Sequence, residues 1–189
     1  RNKFAKLSQK KWTWGKIIRT EDNVACQQSI HIGLLGAGTV GTGVVEAISR
    51  KNRFIEDQIG CNIIVDKILV SDLSKKRTKI VSETLLTTDP QEILNDPNID
   101  IVVELIGGEH PALDYIKQSL SSGKSVVTAN KEVMAKHGSD LITLAEQNGK
   151  QIFYEASVGG GIPIIGPLTN DLRANEIHEI RAIINGTTN

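Results

Sequence analysis

Apolar positions along the chain fall into short runs separated by polar or glycine-rich breaks. From Ile30 the pattern alternates through His31 to Ile32, then stays apolar through Leu34 and Leu35, as in a strand that enters a buried sheet. Val40, Val44, Ala47 and Ile48 then recur at helical spacing and predict a helix, with a polar connection over residues 50–60. Ile63-Ile64-Val65 and Ile68-Leu69-Val70 read as a second strand interrupted by Asp66-Lys67. Asp89-Pro90-Gln91-Glu92 reads as the start of a short helix, with Asp89 as cap and Glu92 reaching back to complete a capping box. A buried parallel strand over 101–106 follows, then a helix opened by Pro111, with Leu113, Ile116, Lys117 and Leu120 near one face and Gly123 as its stop. Ser125–Thr128 reads as a short strand, Ser139-Asp140 as the start of another helix ending at Asn148-Gly149, and residues 151–155 as a further strand. A helix over 163–172 and an alternating, half-exposed strand over 177–184 close the series. Strands alternating with helices predict an α/β protein, with a doubly wound, mostly parallel sheet over residues 30–149 and a second α/β region beginning at 150.

The first break carries chemistry. Gly36-x-Gly38-x-x-Gly41 lies between a strand and a helix. In that context Gly36 permits a tight turn, Gly38 lets backbone N–H groups approach a pyrophosphate, and Gly41 lets the helix lie close to the strand. The helix start adds free N–H donors and a partial positive charge. The context, more than the three glycines alone, points to a dinucleotide.

Three later stretches fall at carboxyl ends of predicted strands, where open α/β sheets bind ligands. After the second strand stand Asp72, an acidic residue suited to a ribose 2′-hydroxyl, and Lys75-Lys76-Arg77, a basic run suited to a 2′-phosphate. Asp72 comes 31 positions after Gly41, farther than is usual. These signals oppose each other and leave the choice between NAD and NADP open. After the strand over 101–106, Gly107-Gly108 allows a ligand to lie against the backbone. After Ser125–Thr128, Lys131 stands at a helix start, against the helix dipole, where cofactor and substrate should meet; a solvent-facing lysine is the other reading of its periodicity. Glu155 followed by Gly159-Gly160-Gly161 offers carboxylate and carbonyl oxygens for a hard cation; a flexible hinge is the other reading of the same residues.

Composition narrows the classes. The 189 residues carry no net charge, with 39% hydrophobic and 23% charged residues, which fits a globular protein and gives no sign of a nucleic-acid partner. No apolar run is long enough to cross a bilayer, so no membrane partner is expected. Cys26 and Cys61 lack motif spacing and suggest neither a disulfide framework nor a metal site, which makes a reducing cytoplasm the default location. Residues 1–20 hold seven basic groups and no acidic ones, leaving 15 basic and 22 acidic groups beyond them. Residues 1–29 are expected to form a poorly ordered basic extension.

Taken together, Gly33-Leu34-Leu35-Gly36-Ala37-Gly38-Thr39-Val40-Gly41, Glu104-Leu105-Ile106-Gly107-Gly108, Val127-Thr128-Ala129-Asn130-Lys131, the run from Glu155 to Pro163 and Asn185-Gly186-Thr187-Thr188-Asn189 resemble the N-terminal part of homoserine dehydrogenases. The resemblance covers about residues 30–189, and its last three motifs, in this order and spacing, are specific to the family. It implies a Rossmann-type NAD(P)-binding domain over 30–149, followed by the beginning of an α+β catalytic and dimerisation domain over 150–189. It implies the reversible NAD(P)H-linked reduction of aspartate 4-semialdehyde to homoserine, in threonine and methionine biosynthesis, by a cytoplasmic homodimer. Gly36, Ala37, Gly38, Thr39, Val40 and Gly41 would then hold the cofactor, with Gly107 beside its nicotinamide half and Lys131 reaching the reaction centre. Glu155 and the carbonyls of Val158, Gly160 and Ile162 would hold a monovalent cation, sodium in this family. Ser71 departs from the arginine that relatives often carry after the second strand, which weakens the case for NADP. The family's proton-donating lysine is expected beyond Asn189, so no catalytic residue is nominated in this chain, and little or no turnover is expected from it alone. The reading from another class is a dinucleotide-sensing module without catalysis, which would have no need of Lys131 or the loop at 155–163.

Overall fold

A computed structural model of the chain describes residues 29–182. The basic segment at 1–20 and the stretch at 185–189 lie outside these residues. Six parallel strands form one sheet: β1 (Ile30–Leu35), β2 (Ile63–Leu69), β3 (Leu86–Thr87), β4 (Ile101–Glu104), β5 (Ser125–Thr128) and β6 (Ile152–Phe153). Their spatial order is β3-β2-β1-β4-β5-β6. Chain direction across the sheet therefore reverses between β1 and β4, and the crevice outside their carboxyl ends is the place where such sheets take ligands. The α/β, doubly wound expectation holds.

Four helices connect the strands: α1 (Thr39–Ile59), α2 (Gln91–Leu94), α3 (Ala112–Ser121) and α4 (Lys131–Gln147). Ile32, Leu34, Ile68 and Val103 pack with Val45 of α1, and Val44 and Ile48 press against the same cluster. Leu35, Leu69 and Val102 meet Ile93 and Leu94 of α2 in a second cluster. A third joins α3, β5 and α4 through Leu113, Ile116, Leu120, Val126, Val133 and Leu141. Each such buried side chain contributes about 1.5–3 kcal/mol, and together they fix the strand ends that carry the site.

Several expectations change. Helix α1 does not stop at residue 50. It runs two turns further, through the polar stretch, to a left-handed Gly60 (φ 75°) whose N–H bonds Glu56 O. Those turns lie on the surface, where good helix formers and the Arg50–Glu46 pair suffice without an apolar stripe. The packed face is Gly41, Val44, Val45 and Ile48; Val40 and Ala47 are exposed. The interruption in β2 is a bulge: Asp66 is skipped in the register with β1, and the strand continues. Its carboxylate meets His31 Nδ1 at 2.7 Å. Glu92 does not close a capping box but binds Lys67 Nζ (2.7 Å) and Thr87 Oγ1 (2.9 Å). Ser139-Asp140 is interior to α4, which is unbroken. Residues 177–182 form no strand, for want of a neighbouring strand to pair with among the described residues. Cys61 is disulfide-bonded, against the expectation of no disulfide; sequence spacing alone carries no information on pairing. None of the described helices is long and apolar enough to cross a membrane.

Candidate functional site

The glycine turn is built by two close approaches. Gly36 has φ +107°, and its N–H donates to Leu69 O at 3.0 Å, so the turn leaves β1 in contact with the end of β2. A Cβ on Gly36 would lie 3.0 Å from Leu105 O, on the other side. A Cβ on Gly41 would lie 2.1 Å from Gly36 O, so only glycine lets α1 rest on the turn. Gly38 differs: a Cβ there meets nothing within 4 Å, because that position faces open space. No side chain caps α1, and its first turn holds no acidic residue. The amides around Gly38, Thr39 and Val40, all exposed, are thus free to bind an anion.

These amides open on a cavity of about 490 Å³ at the switch point, lined by Gly36, Ala37 and Gly38 on one side and by Leu105, Ile106 and Tyr115 on another. Ser71, Lys75 and Arg77, from the loop after β2, also line it. Asp72 and Lys76 do not line it. The Asp72 carboxylate is turned into its own loop, where Oδ1 accepts the Ser74 N–H (2.8 Å) and hydroxyl (2.7 Å). Those bonds, reinforced by the nearby charges of Arg77 and Lys75, hold the carboxyl below the usual carboxylate value. Gly107 and Lys131 lie outside this cavity, farther along the same sheet edge, at the ends of β4 and β5.

A buried carboxylate joins those two ends. Glu104, the last residue of β4, is fully buried. Its Oε1 accepts the N–H groups of Ile106 (2.7 Å) and Gly107 (3.3 Å), and its Oε2 accepts the Thr128 hydroxyl (2.6 Å). Thr128 Oγ1 in turn accepts Asn130 N–H at 3.0 Å. Asn130 Nδ2 donates to Gly108 O (2.7 Å), and its Oδ1 caps α4 through Val133 N–H (3.1 Å). The loop Gly107-Gly108, with φ of 80° and 73°, and the start of α4 at Lys131 are therefore one hydrogen-bonded unit. Apolar periodicity gives Glu104 and Asn130 no site role; the one signal in the sequence is a lone acid closing an otherwise apolar strand. Lys131 is exposed and in no ion pair among the described residues. Lys136, one turn on, is paired with both Glu109 (2.5 Å) and Glu132 (2.7 Å).

The second candidate group lies on a separate loop. Glu155 accepts the N–H groups of Ile164 (2.6 Å), Ile165 (2.9 Å) and Gly166 (2.6 Å). Those bonds, Ile164's and Gly166's foremost, hold its carboxyl below the usual value. The side chain thus anchors the start of the helical turns at 165–171. Val158, Gly160 and Ile162 lie between. The loop's turn bonds use the carbonyls of Glu155 and Gly159, from Val158 and Ile162 N–H at 3.1 Å each. Among the described residues no cluster of three His, Cys, Asp or Glu side chains is placed to hold a metal ion, so a cation here would need carbonyl oxygens beside Glu155.

Comparison with known proteins agrees with this geometry. Residues 36–155 match the family model of the homoserine dehydrogenase NAD-binding domain. A homoserine dehydrogenase of Bacillus subtilis is 44% identical over 162 residues, which cover 86% of this chain and 37% of the relative. The crystal structure of a homoserine dehydrogenase from Thiobacillus denitrificans superposes with a TM-score of 0.74 at 43% identity, over 78% of this chain and 34% of that one. A hyperthermophilic archaeal homoserine dehydrogenase solved in complex with NADPH matches with a TM-score of 0.62 at 28% identity, over 75% of this chain and 48% of that one. The chain thus spans a little over a third of the length of the curated relatives it matches. With a glycine turn, an uncapped helix and a switch-point crevice inside a match that takes in most of its length, the chain belongs to the homoserine dehydrogenase family of NAD(P)-dependent oxidoreductases and carries that family's NAD-binding domain.

Proposed function

We propose that this chain supplies the cofactor half of a homoserine dehydrogenase, which reversibly reduces aspartate 4-semialdehyde to homoserine on the route to threonine and methionine. The observation that carries the reading is the uncapped start of α1, seated on Gly36 by Gly41 and opening on the cavity at the switch point. There the amides after Gly38 bind the pyrophosphate of NAD(P), and Gly36, Ala37, Gly38, Thr39, Val40 and Gly41 form its bed. Gly107, where a Cβ would meet nothing within 4 Å, leaves room for the nicotinamide half. The bound cofactor supplies the hydride chemistry.

What the protein adds is placement and charge. The Glu104–Thr128–Asn130 unit fixes Lys131 beside the nicotinamide loop, and the Lys131 ammonium stabilises negative charge as it develops on the aldehyde oxygen. Glu155 and the carbonyls of Val158, Gly160 and Ile162 hold a monovalent cation, sodium by the family likeness, on a loop that the same Glu155 orders through three amides. In this reading residues 30–149 are the nucleotide-binding domain and 150–189 the beginning of the catalytic domain of a cytoplasmic homodimer. The 189 residues by themselves bind cofactor with little or no turnover.

Lys131→Ala tests the reading in a longer protein that includes this chain and the remainder of its relatives' length. Turnover of aspartate 4-semialdehyde falls by about 100-fold, the scale of losing one charge-stabilising donor, while the melting temperature holds. An unchanged turnover number would remove Lys131 from the reaction centre.

A further inference from the structure

We propose that Cys26 and Cys61 form a redox-responsive staple, closed around the strand–turn–helix unit that carries the anion-binding amides. The inference holds whichever ligand those amides take.

Cys61 is disulfide-bonded, and among the described residues no cysteine is free. The chain has two cysteines, so within it Cys26 alone can be the other half of the bond. The fold puts that residue within reach. Strands β1 and β2 enter the sheet side by side: Ile30 is in register with Ile63, and its N–H donates to Asn62 O at 2.8 Å. Cys61 directly precedes Asn62, and Cys26 stands four residues before Ile30. Four residues of chain reach at most about 14 Å, ample for the roughly 4–7 Å between the Cα atoms of a disulfide.

What the bond encloses gives it a role. The covalent loop from 26 to 61 contains all of β1, the glycine turn and all of α1. Its ends meet at the amino edge of the sheet, whereas Thr39 stands at the carboxyl edge, about 30 Å away along the 21 residues of α1. The staple therefore acts on how firmly the unit holds together and leaves the shape of the crevice alone. It also sits where other restraints are fewest. The buried residues of α1, Gly41 and Val45, are both in its first half. Towards its end Phe54 and Ile59 are exposed, and the tie to β2 is the hydrogen bond from Ile63 N–H to Asn52 Oδ1 at 3.3 Å. A cross-link one residue beyond Gly60 anchors that end, and closing a long loop removes freedom from the unfolded chain.

Cys61 is only half-buried, so small thiols reach it. In closure one Cys thiolate attacks glutathione disulfide and releases one glutathione, and the other Cys thiolate then displaces the second. Two protein thiols are oxidised to one disulfide, and one glutathione disulfide is reduced to two glutathiones. A dithiol runs the exchange in reverse and is itself oxidised to a cyclic disulfide.

The test compares the 189-residue chain equilibrated with glutathione disulfide and with dithiothreitol. Alkylated without reduction and digested with trypsin, the oxidised chain yields one peptide pair that joins Cys26 to Cys61 within a monomer. It melts about 10 °C above the reduced chain. In the reduced chain the amides over 50–60 exchange with solvent at least about tenfold faster. Cys26→Ser and Cys61→Ser melt with the reduced parent in either buffer. The unmodified chain in its two redox states carries the comparison, so a variant that fails to fold does not decide it. Two alkylated thiols after oxidation, glutathione attached in place of the pair, or a Cys61–Cys61 link between two chains overturns the staple. A staple that forms yet moves the melting temperature by less than about 2 °C overturns its redox-responsive role.

Discussion

At Gly41 one hydrogen atom sets how closely α1 lies on the turn before it, and at Gly38 one hydrogen atom sets how closely a ligand can approach. The two glycines therefore fail differently. Gly41→Ala drives a Cβ toward Gly36 O, at 2.1 Å in the unrelaxed backbone, and backbone cannot rotate away as a side chain can. The variant loses about 1–3 kcal/mol of stability by thermal unfolding, and cofactor binding goes with it. Gly38→Ala meets nothing within 4 Å and has an ordinary φ of −77°, so its stability stays within about 0.5 kcal/mol of the parent. Its affinity for the dinucleotide nonetheless falls at least tenfold, because the new methyl group occupies the space over the amides. A Gly38→Ala protein that melts early yet binds normally would reverse the two roles. Sequence spacing showed that glycines were needed here. It did not separate the glycine that serves packing from the one that serves the ligand.

The elements meet through charged groups that their own sequences do not advertise. Glu104 ties the loop after β4 to β5, and Thr128 carries that tie to the N-terminus of α4. Glu104→Gln keeps the shape but turns an acceptor into a donor that faces two N–H groups or a hydroxyl. The loop at Gly107 then loosens. Affinity for NAD(P)H drops severalfold in titration, while affinity for adenosine 2′,5′-bisphosphate, which has no nicotinamide half, is unchanged. A parallel loss of both would place Glu104 in the general support of the sheet.

The same loop is held from outside by Glu109. Hydrogen bonds from Lys136 and then His137 lower its carboxyl from 4.5 to about 2. An acid with a depressed folded-state pKa stabilises the fold above its unfolded value and loses that contribution as pH falls through the folded one. The tie between the loop and α4 is thus intact above about pH 4.5 and lost between there and about 2. Lys136 is shifted the other way, by its hydrogen bonds to Glu109 and then Glu132, so its contribution is full below the ordinary lysine value of 10.5 and is lost as pH rises from there through the raised one. Lys136→Ala returns the Glu109 carboxyl toward its ordinary value, read by carbon NMR titration. An unmoved titration would assign the shift elsewhere.

Over the whole molecule, legibility followed apolar periodicity. Strand β1, the glycine turn, the start of α1, β4, α3 and β5 announce themselves through buried faces, and their alternation was enough for the doubly wound sheet. Three features gave no such signal. The second half of α1 is a surface helix, and its polar residues read as a connection. Strand β3 has two residues, Leu86 and Thr87, too few for any period, and exists because β2 offers it an edge. The opposed signals at Asp72 and at Lys75–Arg77 could not be ranked from sequence, because a side chain folded back on Ser74 and one lining the cavity look alike in a string of letters. The sheet also explains why the motifs assemble at all. Gly36, Gly107 and Lys131 are far apart in sequence but follow β1, β4 and β5, which are neighbours in the sheet.

The central claim is that the amides at the start of α1 grip a dinucleotide at this sheet edge. An amide NMR titration of the 189-residue chain with NADPH tests it most directly. The account predicts saturable shifts confined to residues 36–41, the end of β2 with its basic loop, Gly107 and the beginning of α4. A saturable response that spares residues 36–41, or no response at millimolar cofactor, would contradict it.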